Sequence, residues 1–403
     1  MNKEIIADLH IHSRYSRATS KNITMEMLVK YARIKGLHLL GTGDFTHPAW
    51  IEEIKTLREE NGIYYHDDFP FIITGEVSLM YSQDGKGRRV HLLILVPNLE
   101  IAKKINEWLD TKGRRDYDGR PIFNISCRDF AAKIEEIDNK IEVICAHAWT
   151  PYFGIFGSMS GFDSLKEAFQ EHTQKIHAIE TGMSSSPEMN WKLSQLNEKT
   201  IVSFSDAHSF WPWRLGREAT IFGLKADNLK YESIINQIRN DEILGTIETS
   251  PLYGKYHWDG HAGCNFSCSP EEALKLNNIC PVCNKKLTIG VEHRVEELAD
   301  QDTNSRKNRK QFYTLLPLHE LIAASMASTL TSQKTWNLYN KLIAEFGSEF
   351  NLLLNAAKEK IAKIDEKIAE VIIQNRDGRI RVKPGFDGQY GEVILQEKQT
   401  KLL

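Results

Sequence analysis

Seven short apolar runs in the first 208 residues each carry an imidazole or a carboxylate at one end, and this repetition constrains the fold more than any other feature. IIA runs into Asp8, His10 and His12. HLLGTG runs into Asp44 and His47, FIITG into Glu76, EVICA into His147, IHAI into Glu180, and IVSFS into Asp206 and His208, while His91 opens HLLILVP. The runs predict strands at residues 5–10, 38–42, 71–75, 90–96, 141–145, 176–179 and 200–204. Amphipathic stretches at 24–35, 101–109, 129–137, 163–170 and 188–197 predict helices between several of them, with Thr24 as an N-cap and Gly36 as a stop. Such alternation predicts an α/β layer or barrel. In a β/α barrel the loops at the C-terminal strand ends converge on one pocket. Residues i and i+2 of a strand share a side, so His10 and His12 can grip one ion, and Asp206 and His208 can reach the same cluster. Neutral imidazole with carboxylate suits a divalent metal. A single histidine at a strand end is more often a hydrogen-bonding residue; seven such ends point to a metal site.

A second cluster lies downstream. Cys264, Cys268, Cys280 and Cys283 fall within twenty residues and have the spacing of a four-thiolate structural zinc site, with CPVC as the knuckle. Cys127 and Cys145 stand apart and predict buried thiols. Around this module the chain divides into an α/β region (1–230), a connector (231–255), the cysteine module (256–295) and a helical C-terminal region (296–403). The last has helices at 318–328, 334–346 and 349–373 and ends in a terminal hairpin, GRIRVKPGFDGQYGEVIL.

The formal net charge is −3, which excludes a uniformly basic nucleic-acid coat and leaves any polyanion binding to local patches. Arg88, Arg89, Lys285, Lys286 and Arg294 are candidates for phosphate contact, although short basic runs often only solvate a surface. Aromatics follow two of the site histidines: Trp149, Tyr152, Phe153 and Phe156 after His147, and Phe210, Trp211 and Trp213 after His208. They predict either stacking on a nucleobase or packing of the loops. No apolar stretch reaches the roughly 18–20 residues of a membrane span, and the N-terminal stretch lacks the apolar region of a signal peptide, so a cytoplasmic location is expected.

DLHIHS, GTGDFTH, TGEVS, VHLLIL, AHAW and SDAH, in this order and spacing, resemble the motifs of the polymerase-and-histidinol-phosphatase (PHP) family over roughly residues 1–225. The resemblance implies a distorted (β/α)7 barrel holding two or three divalent ions (Zn, Mn or Mg) and hydrolysing phosphoesters. It implies one ion on His10, His12, Glu76 and Asp206, and a second on Glu76, His91 and His147. The chain departs from the usual pattern at Arg17 and Ala18, and at Phe45, where a histidine ligand is usual. Asp44 or His47, alongside His208, could serve a third ion, with Asp44 preferred. Arg17 in this place predicts a guanidinium that holds a phosphate, or one that pairs with a site carboxylate.

HSRYSRATS, GTGDFTHP, IETGMSSSPEMNW, FSDAHS, CPVCNKKLTIGVEHRVEELAD and PGFDGQYGE extend the likeness. Together they resemble the endonuclease Q family across essentially the whole chain. That implies nicking of DNA on the 5′ side of uracil, hypoxanthine, xanthine or an abasic site, with the lesion base flipped out of the helix. The alternatives are a small-molecule phosphatase of the PHP type or a non-catalytic nucleic-acid-binding scaffold. Neither accounts for both the ligand set and the extra C-terminal regions.

Overall fold

The structure, a computed structural model, describes residues 4–226 and 229–394; residues 1–3, at the head of the stretch read for a signal peptide, and Leu395, at the end of the tail motif, lie outside it. Among the described residues no helix is long and apolar enough to cross a membrane.

Ten strands make one continuous path through a mixed sheet. They are β1 (Ile5–Asp8), β2 (Leu39–Gly41), β3 (Phe69–Gln83), β4 (Lys86–Val96), β5 (Glu142–Cys145), β6 (Ala178–Glu180), β7 (Thr200–Val202), β8 (Ala219–Phe222), β9 (Gly245–Glu248) and β10 (Gln311–Thr314). Across the sheet the order is β7-β6-β5-β4-β3-β2-β1-β8-β9-β10. The seven strands expected from the sequence thus lie side by side in chain order. β1–β2–β3 and β5–β6–β7 pair in parallel, while β3–β4–β5 pair antiparallel. The path curls on itself. Ile11 bridges Ala207, the His12 N–H donates to the Ala207 carbonyl at 2.9 Å, and the Ser205 N–H donates to Asp8 at 2.9 Å. These links draw together the chain segments that leave β1 and β7, and this convergence builds the site.

Side-chain alternation splits each strand between two apolar layers. Ile5, Ala7, Leu39, Ile72, Leu93, Ile144, Ala178 and Val202 fill one, with Ile234, Ile235 and Ile238 of the helix Tyr231–Arg239. Leu40, Phe71, Ile73, Leu92, Ile94 and Val143 pack in the other, with residues of the helices Met25–Lys35, Leu99–Asp110 and Cys127–Ile137. These helices start where a polar side chain satisfies a free N–H: Thr24 accepts from Met27, Asn98 from Ile101 and Ser126 from Asp129. Gly36 ends the first at φ +95°, its N–H reaching back to Ala32 and Arg33.

Three segments differ from expectation. The strand ending at Gly75 continues to Gln83 and turns through Asp84 and Gly85, both at positive φ, into β4. Asp-Gly between alternating runs is a strong hairpin signal, and it overrides the break suggested by Gly75. The stretch 231–255, expected as a helix and then a connector, has the helix and adds β9, and β10 joins the same sheet from beyond the cysteine module. The long helix expected over 349–373 is broken into a π turn, Asn351–Asn355, and helices Lys358–Ala362 and Glu366–Arg376. Asp365 caps the last by accepting from the Ile368 N–H, a reset that Lys/Glu/Ile periodicity conceals.

The helical region is clamped to the helix Met25–Lys35 by a buried ion pair, Lys35 with Glu349 at 2.7 Å. The cysteine module carries a short antiparallel pair, Asp259–His261 with Phe266–Cys268. The terminal hairpin pairs Arg381–Lys383 with Glu392–Ile394.

Candidate functional site

The curl brings the imidazoles and carboxylates of five chain segments together. One group comprises His10, His12, Glu76 and Asp206, with one donor atom from each lying within 4.8 Å of all the others; Glu76, His91 and His147 form a second. Glu76 belongs to both. Its Oε2 lies 3.6 Å from His10 Nε2 and 3.3 Å from His12 Nε2, and its Oε1 lies 2.9 Å from His91 Nδ1 and 3.2 Å from His147 Nε2. Asp206 Oδ1 closes the first group at 3.0 Å from His12 Nε2 and 3.7 Å from His10 Nε2. Glu76 sits in the middle of the long β3, so a strand interior, not a strand end, supplies the shared carboxylate.

Three of the four imidazoles are oriented from behind. His10 Nδ1 bonds Glu180 at 2.9 Å, His12 Nδ1 bonds Asp44 at 2.9 Å, and His147 Nδ1 bonds the Thr150 hydroxyl at 2.8 Å. Carboxylate support of this kind fixes the tautomer and presents the other nitrogen to the cluster. Burial opposes charge on His10 and His12. Glu180 and Glu76 outweigh it for the first and Asp44 for the second, so both imidazoles are held well above their ordinary range. Burial would raise Glu76 and Asp206, but His91 and Arg120 beside Glu76, and His208 and His12 beside Asp206, hold both well below the usual carboxylate range. Burial pushes His91 down to about 3.

Asp44 takes a different position from the one expected. It accepts from the Ser13 N–H at 2.7 Å, the Ser13 hydroxyl at 2.6 Å, the Ser16 hydroxyl at 2.8 Å and His12. Its oxygens are spent behind His12, so it supports a donor instead of adding one. His47 caps the helix Pro48–Ile54 and stacks on Tyr15 with ring centroids 4.3 Å apart, away from the cluster. His208 stands at the rim, its ring centroid 4.5 Å from that of His12. Phe45 is buried under Gly75, where a Cβ would come within 2.8 Å of its ring.

Arg17 is exposed and its Nε lies 3.5 Å from Asp118. The guanidinium that does enter the cluster is Arg120, with Nη1 3.0 Å from Glu76 Oε2. It escaped the sequence reading because it lies in the loop DYDGRPIF, outside every apolar run. Glu180 was visible as a strand-end carboxylate, but its role as the support of His10 needs the fold.

The phosphate-contact candidates divide. Arg89, Lys285 and Lys286 are exposed. Arg88 is not free to meet a phosphate: it is buried, it bonds the Gly161 carbonyl and Glu167, and it lies over the Phe162 ring. Arg294 is likewise consumed, bonding the Phe156 and Phe162 carbonyls, Asp163 and Glu297, which bolts the cysteine module to the sheet domain. Most of the loop aromatics pack the loops. Trp149, Phe156, Phe210 and Trp213 are buried, Trp211 stacks on Trp213, and both meet Trp336 of the helical region. Phe153 covers His91 at 4.3 Å, and Tyr152 stays exposed.

In the cysteine module a histidine joins three of the four cysteines. His261, Cys264, Cys280 and Cys283 present atoms within 4.8 Å of one another, and Cys268 is outside the group. Cys268 is buried in the same cluster as Cys280, Ala273 and Leu287, with Cys264 and Cys283 packed against it, and burial pushes its thiol up to about 11. Burial would raise Cys280 too, but the Val282 and Cys283 amides hold it below its ordinary value, as a thiolate ligand requires.

The MJ0043 C-terminal domain family matches residues 317–379. Over 294 residues the chain is 30% identical to the protein MJ0043 of Methanocaldococcus jannaschii, a match covering 72% of this chain and 36% of that protein. The chain therefore spans well under half of that relative's length. Two solved structures match along their whole length. One is endonuclease Q in complex with a 27-mer duplex substrate bearing an abasic lesion at the active site, at 32% identity and a TM-score of 0.89, covering 100% of both chains. The other is the lesion-specific endonuclease PfuEndoQ of Pyrococcus furiosus, at 31% identity and a TM-score of 0.87, covering 99% of this chain and 98% of that one.

Proposed function

The chain belongs to the endonuclease Q family, and from that premise we propose that it is a metal-dependent DNA repair endonuclease. It nicks the phosphodiester 5′ of a deaminated base (uracil, hypoxanthine or xanthine) or of an abasic site. The full-length likeness to lesion-specific endonucleases carries this reading. In our reading residues 1–230 form a PHP-type (β/α)7 barrel, 256–295 a zinc-binding module and 296–403 a helical domain with a terminal hairpin.

The donor set fits divalent cations. His10 Nε2 is buried with no hydrogen-bond partner and faces carboxylate oxygens of Glu76 and Asp206, an arrangement that a cation completes. We assign His10, His12, Glu76 and Asp206 to one ion (Zn, Mn or Mg) and Glu76, His91 and His147 to a second. His208 is left at the rim for a third ion or for the substrate phosphate. Divalent ions bound there would supply an activated water and neutralise charge at the phosphorus. Glu180, Asp44 and Thr150 keep the donor nitrogens aimed inward. Arg120 meets Glu76 from the rim and is placed to pair with a phosphate oxygen. Cleavage leaves a 3′-hydroxyl, and a flipped lesion base gives selectivity because weak pairs open at least cost. Arg17, Arg89, Lys285 and Lys286 are assigned to backbone contact. The structural zinc is assigned to His261, Cys264, Cys280 and Cys283.

The test is to incubate the protein and Mg²⁺ or Mn²⁺ with a labelled duplex carrying one uracil, beside an undamaged duplex and a phosphomonoester. A nick in the lesion strand alone is expected. Phosphate release from the monoester without nicking would overturn the reading.

A further inference from the structure

Asp206 and His208 form one edge of a cavity of about 360 Å³, and the chemistry above leaves its opposite wall unused. Its lining includes Arg214, Arg217 and Lys255 against one carboxylate, Asp206. Arg217 Nε donates to the Ser205 carbonyl at 3.0 Å, while its Nη1 is buried without a partner. A desolvated guanidinium N–H with nothing to bond is costly unless a ligand completes it. The carboxylate nearest Arg214 is Glu320, 3.8 Å away.

One wall belongs to the terminal hairpin, the PGFDGQYGE segment that the metal cluster does not use. The hairpin loop is bonded to residues 252–258: the Gly385 N–H to Leu252, the Gly391 N–H to Tyr253, and the Trp258 N–H to Gly385. A Cβ on Gly391 would lie 2.4 Å from the Leu252 carbonyl, so only glycine allows this approach. The contact presents the Tyr390 ring to the cavity. Lys255 Nζ lies 4.7 Å and the Arg214 guanidinium carbon 5.5 Å from the ring centre. Burial would raise the Tyr390 phenol, yet Arg217, Arg214 and Lys255 draw it below its ordinary value, which reports a positive field.

We propose that Arg217, Lys255 and Arg214, walled by Tyr390 of the terminal hairpin, bind a phosphodiester of the lesion strand adjoining the scissile bond. The proposal rests on the endonuclease reading. It makes the C-terminal hairpin part of the strand-binding surface, and it places the anion-binding guanidinium at Arg217 on the segment that carries Asp206. Ala18 also lines the cavity, at the position after Arg17 where the PHP pattern has a ligand, so its short side chain leaves room for the strand.

The test uses the metal-loaded full chain and an abasic duplex. Single neutral methylphosphonate linkages are placed on either side of the scissile phosphate and, as a control, several nucleotides away. For the wild type, one flanking substitution should lower kcat/KM by roughly tenfold or more, the worth of a hydrogen bond to a charged group. In Lys255→Ala and Arg217→Lys that penalty should shrink towards one, while the control linkage affects all three proteins equally. For Lys255→Ala, KM should rise with kcat kept within about twofold, and the slope of log(kcat/KM) against log salt should fall in size by about one. A variant that folds and nicks but keeps both the wild-type methylphosphonate penalty and the wild-type slope overturns the pocket assignment alone. A wild type that nicks no lesion duplex overturns the endonuclease reading, and the pocket with it.

Discussion

Glu349→Gln isolates the bond between the helical region and the helix Met25–Lys35. Lys35 Nζ lies 2.7 Å from Glu349 Oε1 and 2.8 Å from the Pro212 carbonyl, in the loop that follows His208. The two side chains are 1% and 0% exposed, so solvent does little to screen the pair. Glu349 also accepts from the Leu318 N–H at 3.0 Å and the Tyr339 hydroxyl at 2.9 Å. Glutamine keeps the shape but leaves an ammonium buried without its counter-charge, which costs about 3–5 kcal/mol. Tyr339→Phe removes one hydrogen bond to a charged acceptor and leaves the pair, costing about 1.5–3 kcal/mol. Lys35→Met with Glu349→Leu, a double variant placed on Tyr339→Phe so that no hydroxyl is stranded, removes both charges, and its remaining penalty is the unpaired Leu318 N–H, about 1–3 kcal/mol. Urea unfolding followed through the fluorescence of Trp213 and Trp336 reads all three. The expected order of loss is Glu349→Gln first and the double variant below it. A Glu349→Gln protein within about 1 kcal/mol of wild type, or a double variant worse than the single, refutes the reasoning.

Three further outcomes follow from the geometry. Glu180→Gln, which weakens the support of His10, should lower metal affinity at the first group roughly 10- to 100-fold in a titration read by calorimetry; unchanged affinity contradicts the assigned role. His261→Ala should release zinc from the cysteine module while Cys268→Ser retains it, as measured by metal content after gel filtration, and the reverse result restores Cys268 as the ligand. Glu218 is held well above its ordinary value and Glu248 is raised from 4.5 to about 7, both through burial. The folded chain therefore keeps protons that the unfolded chain has released, and stability falls as pH climbs from about 4.5 through about 7. Glu248→Gln should flatten that part of the urea-midpoint profile, and a variant with the wild-type slope counts against the assignment.

Much of the site was legible because metal ligation needs particular residue types, and strand ends place His10, His12, His147 and Asp206, while Glu76 and His91 lie inside longer strands. His10, His12, Glu76, His91, His147 and Asp206 all stand in the two donor groups. What failed to show were features that depend on who lies behind whom. Asp44 read as a donor because its sequence setting matches one, yet two serine hydroxyls in DLHIHSRYS turn it into the partner of His12. Arg88 and Arg294 read as surface cations because a sequence cannot reveal that carbonyls from residues 156–162 are waiting for them. His261 was not read as a donor because only the fold sets it beside Cys264, Cys280 and Cys283, while Cys268 packs in the same apolar cluster. The seven strands were found in order, but β8, β9 and β10 were not read as part of the same sheet.

The most direct test of the central claim is single-turnover cleavage of an end-labelled duplex with one abasic site, comparing the wild type with Asp206→Asn at saturating Mn²⁺ and matched circular dichroism. The account predicts that the wild type yields one product, ending in an extendable 3′-hydroxyl immediately 5′ of the lesion, and that Asp206→Asn yields none. Cleavage by Asp206→Asn at the wild-type rate, or equal wild-type cleavage of undamaged DNA, would contradict it.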